Sequence, residues 1–183
     1  MAGAGTRNGV VGSLPAIGAA DPRLLAEPLD YLETEHYRMR AVLSLLDRFV
    51  SEPRPDVRAA TARLAIGFIR SDLALHVSDE NEGLFPLLRI RCEVADGLDR
   101  ILERIAEEPA RGAVVCAGVV RKLTAACDDR AIGKGIRIAV ERFVRSQRRL
   151  LALEDAFVLP LARQRLTEAD RCWLSLHMSE RRQ

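Results

Sequence analysis

Two short stretches of the chain share one frame. "HVSDENEGLFP" runs from His76 to Pro86, and "LLALEDAFVLP" runs from Leu150 to Pro160. In each, a glutamate stands six residues before the proline, Glu80 before Pro86 and Glu154 before Pro160. Four residues before Glu80 comes His76, whereas the same place before Glu154 holds Leu150. Residues four apart face one side of a helix, so His76 and Glu80 offer an imidazole and a carboxylate to one ion from adjacent turns. That donor pair suits iron, manganese or zinc. The frame reads as a metal site in two halves, one of which has lost its histidine.

These residues need long helices to position them. Steps of three and four from Leu29 pass through Leu32, His36, Met39, Leu43, Leu46 and Val50, the stripe of a helix buried along one face. "SEPRPD" ends that helix. A second helix starts near Pro55 or Asp56 and runs to between Leu88 and Arg91, with Pro86 kinking its last turns. Its stripe is Ile69, Leu73, His76, Glu80, Leu84 and Leu87. A third stripe runs from Leu98 through Leu102, Ile105, Pro109, Gly112, Cys116, Val119 and Leu123. An interior proline costs ~3 kcal/mol, so the spacing predicts a kink, or two shorter helices with Pro109 opening the second. The fourth helix, starting at Asp129 or Arg130, carries Phe143, Gln147, Leu150, Glu154, Phe157 and Leu161. A short fifth helix follows, capped by Thr167 with Asp170 in the reciprocal position.

The expected fold is therefore all-α: an up-down-up-down four-helix bundle over residues 29–165, with a short C-terminal helix over 166–183. Residues 1–28, rich in Gly and Ala and without helical periodicity, read as a flexible tail rather than a signal peptide.

Composition agrees. The chain has 183 residues, of which 48% are hydrophobic, and β-branched alternation suited to a sheet is lacking. Its 28 basic and 26 acidic residues nearly balance, so "RSQRRL" and "ERRQ" read as solvated faces and no nucleic-acid partner is expected. No run is long and apolar enough to suggest a membrane span. Cys92, Cys116, Cys127 and Cys172 form no C-x-x-C pair and read as buried free thiols in a reducing cytoplasm. No serine or cysteine has a base set beside it by spacing, and phosphate-loop, dinucleotide and zinc-ribbon patterns are lacking, so no enzyme activity is expected. His177 lies off the stripes and reads as a surface or capping residue.

A single histidine in a stripe is usually a hydrogen-bonded core residue. A glutamate there must be paired, protonated or metal-bound, because burying its charge costs several kcal/mol. Arg70 and Arg145 are candidate partners. Together, His36, His76, Glu80 and Glu154 make a set that could converge in a bundle core.

From about Leu29 to Arg165 the chain resembles the hemerythrin-like (HHE) family, through "DYLETEHYRMR", "HVSDENEGLFPLL" and "LLALEDAFVLPLA". The resemblance implies a four-helix bundle around two non-haem irons bridged by two carboxylates. It implies histidine ligands from the first and third helices, His-x3-Glu from the second, and a histidine followed by a carboxylate from the fourth. Members bind or sense dioxygen, nitric oxide or iron. By position, His36, His76, Glu80 and Glu154 match family ligands. The fourth-helix histidine is replaced by Leu150, and the third-helix one falls at Pro109 in "AEEPARG". Neither can ligate, and Cys116, about 10 Å further along the axis, is a poor substitute. Glu108 is a neighbour that could swing inward.

Two functional readings follow. In one, His36, His76, Glu80 and Glu154 hold one non-haem iron, with room for a small diatomic ligand, in sensing or storage. In the other, the site is vestigial and the bundle is a structural or protein-interaction module. Without metal, Glu80 and Glu154 would repel, and at least one should bind a proton more tightly. Glu33, Glu35 and Asp79 are candidates for holding the histidine rings in place.

Overall fold

The structure, a computed structural model, describes residues 17–128 and 132–183. The first sixteen residues of the expected tail, and the expected start of the fourth helix at Asp129 or Arg130, lie outside the described residues. Among the described residues there is no strand, and the fold is an all-α bundle.

After a 3-10 turn at Pro22–Ala26, the first long helix α1 spans Pro28–Phe49. The second rod is built from α2 (Pro55–Arg70), α3 (Asp72–Asp79), a π turn (Glu80–Leu84) and α4 (Phe85–Arg91). The third is broken: α5 (Leu98–Ala106), a 3-10 turn (Pro109–Arg111) and α6 (Ala113–Asp128). The fourth comprises α7 (Lys134–Leu153), a second π turn (Glu154–Val158) and α8 (Leu159–Arg165), and the chain then turns into α9 (Glu168–Glu180). Helix α1 packs on α2 and α7, and α6 closes the ring between α2 and α7.

The repeated Glu-to-Pro frame now has a structural cause. Each glutamate opens a π turn, in which the backbone N–H of Phe85 bonds to the Glu80 carbonyl and that of Leu159 to the Glu154 carbonyl. Such a turn takes one more residue than an α turn. The proline then sits at the start of the next helix, where its missing N–H is least costly. The extra residue also shifts the buried stripe by one position. Leu88 is buried rather than Leu87, and Val158 and Ala162 are buried rather than Phe157 and Leu161; Phe157 is 47% exposed. A strict three-and-four count misses this shift.

Pro109 does not open a helix directly. It starts the 3-10 turn, and α6 begins at Ala113. The core is divided along the bundle axis. One apolar cluster includes Met39, Leu43, Phe68, Leu73, Leu123 and Phe143; the other includes Leu32, Leu84, Leu88, Ile105, Leu150 and Leu174. His36 lies between Leu32 and Met39, and His76 between Leu73 and Leu84, so the polar layer separates the two clusters.

Helix α9 lies over the second cluster, burying Leu174 and Met178. Gly83 permits its approach, since a Cβ there would stand 2.6 Å from Leu174 Cδ1. Two arginines of the closing "ERRQ" are anchors and not a solvated face. Arg181 Nη1 and Arg182 Nη2 donate to fully buried Asp79 at 3.0 and 2.6 Å. Trp173 stays partly exposed and stacks on His177, whose Nδ1 lies 2.9 Å from the Trp173 carbonyl. Cys172 is exposed and the other three cysteines are half-buried, so none is deeply buried as the sequence reading expected.

The α9 cap is reciprocal. Thr167 accepts from the Asp170 N–H, and Asp170 accepts from the Thr167 N–H at 2.9 Å and hydroxyl at 2.7 Å. Arg91 adds a two-pronged contact at 2.8 and 2.9 Å. The Arg91 guanidinium, with help from Thr167, holds the Asp170 carboxyl far below the usual carboxylate range. A group with a depressed folded pKa stabilises above its unfolded value and loses that contribution as pH falls. Asp170→Asn should therefore cost about 1 kcal/mol at neutral pH. The difference from wild type should hold down to about pH 5 and narrow below about pH 4. Urea unfolding across that range checks it; a difference that stays constant into acid would contradict it.

Candidate metal centre

His36 comes from α1, His76 from α3, and Glu80 and Glu154 from the first residues of the two π turns. All four are buried, and one donor atom from each lies within 4.8 Å of the others. The imidazole rings meet edge to face with centroids 5.0 Å apart. His36 Nε2 is 3.5 Å from Glu154 Oε2, and His76 Nε2 is 3.7 Å from Glu80 Oε1. Donors around one tetrahedral ion stand about 3.4 Å apart at zinc-like bond lengths. The His36–Glu154 and His76–Glu80 pairs already stand near that spacing, and the wider pairs would close around an ion.

The electrostatics follow from burial. Desolvation lowers the His36 pKa to about 4, and it pushes His76 well below the usual imidazole range, with neighbouring His36 and Arg111 adding to the effect. Both rings are thus neutral near pH 7, and their contacts with the glutamates are not salt bridges. Burial raises both Glu80 and Glu154, and it carries Glu154 well above the carboxylate range with the Glu80 charge adding to the effect. Without metal, the facing carboxylates hold a proton, as their opposition demands. A metal ion entering here would displace that proton.

His36 is oriented from behind. Its Nδ1 lies 2.6 Å from Asp155 Oδ1, and Asp155 also pairs with Arg40. A carboxylate accepts, so Nδ1 carries the ring proton and Nε2 turns its lone pair toward the glutamates. Asp155 was not among the expected supports. Glu33 accepts from Arg163, Glu35 from Arg38, and Asp79 from Arg181 and Arg182 just past α9. The signal was the residue following Glu154, which the second π turn carries round to the α1 side.

Arg111 was also missed. Its Nη1 donates to Glu80 Oε2 at 2.8 Å and to Glu154 Oε1 at 3.3 Å, and its Nη2 donates to Asn81 Oδ1 at 2.9 Å. The guanidinium lies over the Phe85 ring, 4.9 Å from its centroid. Arg111, not Arg70 or Arg145, is the partner of the buried carboxylates; both of those are exposed. The sequence clue was its place two residues after Pro109, in the break that interrupts the third helix.

The two departed positions behave as their chemistry requires. Leu150 is buried in the second apolar cluster. Pro109 is exposed at the head of its turn. Glu108 does not swing inward; it accepts from Arg149 at 2.6 Å and from Ser146 at 2.7 Å. Cys116 Sγ donates to the Ala110 carbonyl, and His177 sits on α9 away from the cluster.

The residues present fit a metal ion. His36 Nε2 and both ring nitrogens of His76 are buried without a hydrogen-bond partner. A buried polar atom left unpaired costs about 1–3 kcal/mol. Neutral imidazole nitrogens aimed at carboxylates are what a transition metal uses. Asp155→Asn should weaken the tautomer bias of His36. Long-range nitrogen–proton NMR of metal-free protein should find the proton on Nδ1 in wild type and a mixture in the variant. A wild-type ring protonated at Nε2 would contradict the assigned role of Asp155.

A comparison with curated proteins found no match. The sequence pattern of the hemerythrin HHE cation-binding domain matches residues 27–162, most of the chain and all four residues of the cluster. With its all-α bundle and buried His/Glu cluster, the chain belongs to the hemerythrin HHE cation-binding domain family.

Proposed function

We propose that the protein binds one non-haem iron ion through His36, His76, Glu80 and Glu154, and uses it in sensing or storage. The observation that carries this is the set of unpartnered imidazole nitrogens on His36 and His76, buried beside two carboxylates. Buried polar atoms are as a rule paired, and an ion between the imidazoles and carboxylates would engage a nitrogen of each ring. Iron held by these four residues would supply a Lewis-acidic centre able to take a small ligand such as water, dioxygen or nitric oxide.

The chain's own residues set the conditions. Glu80 and Glu154 supply charge to hold the cation. Asp155 keeps His36 Nε2 unprotonated and turned inward. Leu32, Leu84 and Leu150 surround the layer on one side, and Met39 and Leu73 on the other, keeping it apolar. Free thiols at all four cysteines suit a reducing, cytoplasmic setting. Among the described residues, no helix is long and apolar enough to cross a membrane. In the same reading, residues 29–165 form the functional bundle and 166–183 an attached helix.

One observation favours the vestigial reading, in which the bundle is a metal-free interaction module. Arg111 already neutralises part of the carboxylate charge. Metal content separates the two. Protein from iron-supplemented medium should carry about one iron per chain, and His76→Ala should lose it with the fold intact by circular dichroism. A folded wild type that stays empty after anaerobic reconstitution with iron, manganese and zinc would end the metal reading.

A further inference from the structure

We infer that Arg111 is a built-in second cation: its guanidinium stands where a second ion would share the carboxylates, and it limits the site to one metal. The inference rests on the metal reading for its ion count, but not for its charge balance.

The oxygen-by-oxygen arrangement carries it. Each glutamate faces two ways. Glu80 turns Oε1 to His76 and Oε2 to Arg111; Glu154 turns Oε2 to His36 and Oε1 to Arg111. The pair therefore bridges two positions. One is lined by the two imidazoles. The other holds the Arg111 guanidinium, a cation with five donors and no acceptor.

The guanidinium is fixed on several sides. Asn81 accepts from Nη2, and the Phe85 ring lies beneath. Its backbone is tethered as well. The Ala110 N–H donates to Ser146 Oγ at 3.0 Å, and the Ala110 carbonyl accepts from Gln147 Nε2 at 3.1 Å. Glu108 is tied to Ser146 and Arg149. The break in the third rod is thus clamped to α7, and the clamp aims Arg111 inward.

Among the described residues, the two departed ligand positions bring no donor to this second place. Leu150 offers no lone pair, and Pro109 faces solvent. Once an ion has displaced the shared proton, the guanidinium still occupies one oxygen of each carboxylate, and its positive charge repels a second cation there.

The test is a double-mutant cycle on metal-free protein, followed by ion counting with ferrous iron under anaerobic conditions. Arg111→Met should lower the folding equilibrium constant about tenfold or more, because it strands the carboxylates. Arg111→Lys should recover most of that loss. With Glu154→Gln already present, the cost of Arg111→Met should fall to less than about threefold, the sign of direct coupling. Wild type should then bind one ferrous ion, and the double variant Arg111→His with Leu150→His should bind two. Two ions on wild type would overturn the proposal, as would an Arg111→Met cost unaffected by Glu154→Gln. If no variant binds iron, the metal reading fails, and the cycle alone decides whether Arg111 balances the carboxylates.

Discussion

Two carboxylates face each other in the middle of a helical bundle, and the rest of the structure answers that constraint. Glu80 and Glu154 are both almost fully buried. Their charges cannot be left to water, so they must be met by protons, cations or ligands. Each sits at the first residue of a π turn. Arg111 reaches them from the broken third rod, and two neutral histidines face them from α1 and α3. The apolar clusters on either side lower the local dielectric, which strengthens every one of these contacts.

The layer has a charged surround that the same logic explains. Asp155 holds His36 and pairs with Arg40. Asp79, next to Glu80, is fully buried and held by Arg181 and Arg182 from the end of α9. Arg182 also donates to the Tyr31 hydroxyl and lies over its ring. The last helix is therefore tied by charge to the residue beside a candidate ligand, as well as by Leu174 and Met178 to the core. Each buried acid among the described residues meets at least one arginine, which suits a chain rich in that residue.

Much of this was legible in the sequence. The stripe through His36 in α1 could be read because an uninterrupted helix keeps its period. The clustering of His36, His76, Glu80 and Glu154 followed from stripe positions and from the family resemblance. The repeated Glu-to-Pro frame was visible, but its meaning was not. A π turn adds a residue whose effect appears only as a phase shift, moving burial from Phe157 to Val158 and from Leu87 to Leu88. Arg111 and Asp155 were hidden for a different reason. A long flexible side chain is placed by tertiary contacts, and arginines are so common here that spacing could not single one out. Pro109 was read as a lost ligand. Its structural consequence is the turn that delivers Arg111.

The most direct test of the central claim is X-ray absorption at the iron edge on the reconstituted protein. The account predicts a single ion with two imidazoles and carboxylate oxygens in its shell, and no second metal nearby. Its absence should persist at excess iron, because Arg111 holds the other position. A metal–metal vector near about 3.5 Å, the spacing of paired sites, would contradict the account, as would an iron shell without imidazole.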